Sequence, residues 1–63
     1  MMTLAEYTAE VRKNFPMGKK SKADVDAFFN EKETKDYILD GYNNQSMAEA
    51  TPKAVASCLD MMY

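Results

Sequence analysis

Residues 23–42, ADVDAFFNEKETKDYILDGY, decide how this chain folds. The stretch holds two of the three phenylalanines, two of the four tyrosines, the single isoleucine and six of the ten acidic residues. Core material and negative charge therefore arrive together. The apolar residues do not fit one helix. Val25, Phe28 and Phe29 share a face at about 3.6 residues per turn. Continued, that face meets Lys32 and Asp36, while Ile38 falls on the far side. A break near Asn30 reconciles the two halves. Asn30 then serves as N-cap with Glu33 as its reciprocal partner, and two short helices, about 22–29 and 31–42, share one core. The second turns Thr34, Ile38, Leu39 and Tyr42 inward, and Gly41 or Asn43 supplies a left-handed cap at its end.

Outward from that stretch the helix signals continue. Thr3-Leu4-Ala5-Glu6 is a capping box. Leu4, Tyr7, Val11 and Phe15 follow it at helical spacing, and the Phe15-Pro16 pair stops the helix after Asn14, because a residue preceding proline avoids the helical region. The first helix is about 4–14. Ser21 caps the second helix, after a loop in which Met17 tucks inward as a gap filler. Ser46-Met47-Ala48-Glu49 allows a single turn. Thr51-Pro52 is the stronger start, since proline at the first helical position gives up an N–H that has no partner there. Val55, Cys58, Leu59 and Met62 then trace the inner stripe of a helix over 52–63, with Cys58 as a packing residue. No stretch alternates as a strand does. The expected fold is all-α: one small domain, 1–63, built as a compact bundle of four short helices.

Bulk properties narrow the function. The chain has 63 residues and a formal charge of -2, which argues for neither a nucleic-acid binder nor an acidic mimic of one. It has no histidine and one cysteine, Cys58, so it lacks the commonest general base and any internal disulfide. A domain this small without bridges fits a reducing cytoplasm. No apolar run approaches the roughly 18 residues of a membrane span, and the opening MMTLAEYTAEVRK is too polar for a signal peptide.

Motifs that resemble catalytic or ligand sites fall short. Gly18-Lys19-Lys20-Ser21 lacks the earlier glycine of a phosphate loop, since Lys13 occupies that place. Asp40 to Glu49 puts Tyr42 and Gln45 where a calcium loop needs a ligand and a glycine. Asn44-Gln45-Ser46 matches the glycosylation tripeptide, a pattern common by chance. Asp36 and Asp40 form a carboxylate pair on one helix face, interleaved with lysines as a solvated face would be. No metal site, cofactor site or catalytic constellation is expected.

Two surface features remain. Arg12, Lys13, Lys19, Lys20 and Lys22 place five of the eight basic residues within eleven positions, around the start of the second helix, where free amides favour an anion. Opposed to them, Asp24 to Asp40 carries six acids and two lysines, a face able to steer onto a basic surface. Asp36, Tyr37, Asp40, Met61 and Tyr63 lie outside the inner stripes, and tyrosine and methionine left outside mark contact surfaces. The expectation is a small non-enzymatic interaction or regulatory module. It acts through a helical surface on a protein partner, or on a second copy as a homodimer. The alternative is a nucleic-acid or phosphate-binding accessory protein using Arg12–Lys22. A reading helix loaded with Glu31, Glu33, Asp36 and Asp40 weakens that alternative.

Overall fold

The computed structural model describes residues 1–63 and shows four α-helices and no strand. They are α1 (Leu4–Asn14), α2 (Lys22–Asn30), α3 (Lys32–Asn43) and α4 (Pro52–Met62), with one 3-10 turn, Ala48–Ala50, before α4. The caps explain the boundaries. The Thr3 hydroxyl accepts from the Glu6 amide at 3.2 Å and the Glu6 carboxylate accepts from the Thr3 amide at 2.8 Å. Those bonds to Thr3 also hold the Glu6 carboxyl below its ordinary pKa. Ser21 caps α2 through Asp24, and Thr51 caps α4 through Ala54 with proline next in line. The radius of gyration, 10.9 Å, is close to the roughly 10.6 Å expected for a folded chain of this length.

The break in the central stretch lies one residue later than its composition implies. Asn30 is the last residue of α2 and caps nothing. Glu31, at φ -67° and ψ 141°, ends α2 and begins α3, with no side-chain cap. A single extended residue thus separates the helices, and the backbone continues the pairing: Glu31 N donates to Phe28 O and Lys35 N to Glu31 O.

One apolar cluster joins Tyr7, Val11 and Phe15 from α1 and its exit to Val25, Phe28 and Phe29 of α2, Ile38 of α3, and Val55, Ala56 and Leu59 of α4. Helices α1 and α4 share the most extensive contact. At the α2 end the core is aromatic. Phe15 and Phe29 meet edge to face at 5.1 Å, Phe28 and Phe29 at 5.7 Å, and the Tyr63 ring closes over Phe28 at 5.2 Å.

Several side chains placed inward by periodicity are outside. The inner row of α3 is Thr34, Ile38 and Gly41, and Leu39 is 43% exposed. Leu4 is 42% exposed, because no other element covers the first turn of α1 on that side. In α4 the inward positions are Val55, Ala56 and Leu59, which rotates Cys58 and Met62 to the surface. Met17 is also exposed. No left-handed cap closes α3: Asn44 ends it at φ -119°, and the one positive φ in the chain belongs to Gly18.

Gly41 sits inside α3 for a different reason. The Tyr7 ring is fully buried, and its hydroxyl donates to the Ala50 carbonyl at 2.6 Å. A Cβ on residue 41 would collide with that hydroxyl and come within 2.9 Å of Val55 Cγ2. Burial, with the Asp40 charge behind it, pushes the Tyr7 pKa up. Gly41→Ala is thus expected to lose about 1–2 kcal/mol in urea unfolding, although alanine in an open helix gains about 1 kcal/mol over glycine. Tyr7→Phe is expected to lose about 1–3 kcal/mol by leaving the Ala50 carbonyl unpaired. The double variant should lose less than the sum of the two, and strict additivity in the cycle would refute the contact.

Candidate functional site

The basic residues that cluster in the sequence are largely used up inside the molecule. Arg12 pairs with Asp26, and its guanidinium lies 4.8 Å from the Phe29 ring centre. Lys22 reaches the other oxygen of the same carboxylate at 3.1 Å. Lys20 binds Asp60 at 2.8 Å, donates to the Pro16 carbonyl at 2.8 Å, and sits over Phe15 and Tyr63 at 5.3 and 5.5 Å. Only Lys13 and Lys19 of the five are left without an acidic partner. Arg12 thus links α1 to α2, and Lys20 links the α1–α2 loop to the end of α4.

The five residues singled out as contact candidates differ in exposure and in partners. Asp36 is exposed and paired with Lys32 at 2.7 Å. That contact raises the Lys32 pKa. Tyr37 is half-buried against the core beside Cys58 of α4, where the thiol contact and burial raise its pKa. Asp40 is exposed near Tyr37 and Tyr7. Met61 is 88% exposed, and Tyr63 is drawn onto Phe15 and Phe28. No three His, Cys, Asp or Glu side chains converge as a metal site would require.

The one concave feature lies elsewhere, between α1 and α3, with the end of α2 closing it. Helix α1 buries Tyr7 and Val11 and leaves a second row free: Leu4, Thr8 and Arg12 in one file, Ala5 and Ala9 in the next. Helix α3 lines the opposite wall with Lys35, Asp36, Ile38 and Leu39, and Phe29 and Asn30 form the end. The groove encloses about 720 Å³. Its floor is small and apolar, its edges carry the exposed Leu4 and Leu39, and Lys35 is its one charge without an ion-pair partner in the chain. Its polar side chains are Thr8, Arg12, Asn30, Lys35 and Asp36, set around a mainly apolar lining.

Of the groove residues, Asp36 and Arg12 were legible as candidates, and the small-residue row was not. Its signal is present: alanines four apart on an otherwise bulky helix, off the core stripe, let another backbone approach closely. Comparison with known protein families, curated proteins and solved structures finds no match for this chain.

The Asp26 pairing has a measurable consequence. Hydrogen bonds from Arg12 first, then from Lys22, hold the Asp26 carboxyl below the ordinary aspartate range. A depressed carboxylate pKa stabilises the fold above the unfolded value and loses that contribution as pH falls through the folded value. In a carbon-detected NMR titration Asp26 is expected to protonate below the ordinary aspartate range. Arg12→Gln should move its midpoint upward, and an unmoved midpoint would remove Arg12 as the cause.

Proposed function

We propose that this chain is a small non-enzymatic protein-interaction module whose contact surface is the α1/α3 groove. The observation that carries the reading is the pairing of an apolar, small-residue floor with two protruding leucines on a domain of 63 residues. Leu4 and Leu39 each leave over two-fifths of their surface in water beside the recess. A leucine so placed is the usual anchor of helix-in-groove recognition, in which a partner's apolar ridge fills the hollow and leucines at the rim exclude water. Cys58, exposed and without a partner for a disulfide, fits work in a reducing cytoplasm. No helix is long and apolar enough to cross a membrane.

Ion pairing of Arg12 and Lys20 supports this reading over phosphate or nucleic-acid binding, because each already has a carboxylate and an aromatic face within the chain.

Site-specific photo-crosslinking in the native cell tests it. A benzoyl-phenylalanine at Leu39 is expected to give discrete protein adducts, and the same group at Lys53, on α4, to give none. Ala9→Arg, at an exposed helical position, should abolish the Leu39 adducts while leaving the circular dichroism spectrum unchanged. Equal labelling from both positions, or adducts indifferent to Ala9→Arg, would exclude the groove.

A further inference from the structure

We infer that the occupant of the groove is a second copy of this chain, docked α1/α3 face to α1/α3 face about a twofold axis, an inference that rests on the docking reading above. A twofold contact requires that every protrusion find its recess on the identical surface. This face meets that condition. Leu4 and Leu39 stand proud at 42% and 43% exposure, and the hollow floored by Ala5, Thr8 and Ala9 lies beside them on the same two helices. A face built for an unrelated ridge needs only the hollow.

The charges obey the same rule. Lys35 and Asp36 are neighbours on the α3 wall, one of each sign. Lys35 forms no ion pair within its own chain, and Asp36 is held only by Lys32, an exposed pair four residues apart that exchanges at little cost. When two α3 helices lie antiparallel, Lys35 of each comes within reach of Asp36 of the other, and the contact is made twice. The remaining charge on the groove, Arg12, is already neutralised by Asp26, so docking strands no cation.

The area suits a weak, reversible dimer. The two helices of the face have 11 and 12 residues, which at about 1.5 Å per residue makes them roughly 16–18 Å long. A standard interface takes about 800 Å² from each partner, roughly a fifth of the 4312 Å² this chain exposes. The groove lining alone offers well under that area, and interfaces at the small end are transient.

Sedimentation equilibrium of the whole chain, from about 10 µM to about 1 mM, is the test. The weight-average mass is expected to climb from 7.2 kDa toward twice that value. Ala9→Arg and, independently, Leu39→Glu should hold it at the monomer mass at every concentration, with far-ultraviolet circular dichroism confirming that each variant is folded. Lys35→Glu should weaken association by about tenfold or more, and the double reversal Lys35→Glu/Asp36→Lys should restore it, since in a twofold contact both signs swap together. A parent chain that stays monomeric at about 1 mM overturns the inference. So does a dimer that ignores Ala9→Arg and Leu39→Glu, or a double reversal no better than the single change. In any of those cases Leu39 crosslinks to a different protein would keep the docking reading, and the absence of all Leu39 adducts would end both.

Discussion

The hydroxyl of Tyr7 binds the carbonyl of Ala50, and the rest of the molecule is arranged so that it can. The bond spans 43 positions of sequence, is buried, and joins the first turns of α1 to the 3-10 turn that launches α4. For the ring to reach that carbonyl, α3 has to pass close by, and it does so at the one residue with no side chain, Gly41. The helix pays in propensity at that point and gains a fixed docking of α1, α3 and α4 around a single tyrosine. Tyr42, edge-on to Tyr7 at 6.0 Å, completes the enclosure.

That constraint sets the rotation of α3. With Gly41 directed at Tyr7, the inner row must run through Ile38 and Thr34, which are one and two turns earlier on the same face. Leu39 is then turned by about 100° away from Ile38 and reaches the surface. The groove is a by-product of the same rotation. Leu39 and Lys35 form the wall opposite α1 because Gly41 faces Tyr7, so the candidate contact surface and the core are tied to one another through a single buried hydroxyl.

The caps made the helices legible. Thr3 with Glu6, Ser21 with Asp24, and Thr51 with Pro52 are local signals read within four residues, and each helix boundary lies within one residue of where those signals put it. The failures share a cause. Assigning Gly41 to a cap follows the local habit of glycine, and its burial depends on a tyrosine in another helix. Leu4, Leu39, Cys58 and Met62 fit a helical stripe by spacing, but a stripe fixes a face only to within about one residue, and neighbouring helices choose which edge of it is covered. Asn30 is a good cap by type, yet α2 continues through it and Glu31 alone makes the break before α3. The groove was illegible for the same reason: its two walls are some thirty positions apart, and only the packing of α1 against α3 brings them together.

Electrostatics points in the same direction as packing. A chain with eight basic and ten acidic residues has enough charge for a binding patch of either sign. Here three of the five clustered cations have a carboxylate within the fold, and two of those an aromatic face as well: Arg12 has Asp26 and Phe29, Lys20 has Asp60, Phe15 and Tyr63, and Lys22 shares Asp26. Exposed pairs of this kind contribute little singly, so their effect lies in holding α2 and the end of α4 in place more than in adding stability. What they leave behind is a surface of scattered charge with one concave, mainly apolar interruption. Covering that interruption would remove the most apolar surface from water, which is why the proposed contact is placed at the α1/α3 groove and not at the lysine-rich turn that is most conspicuous in the sequence.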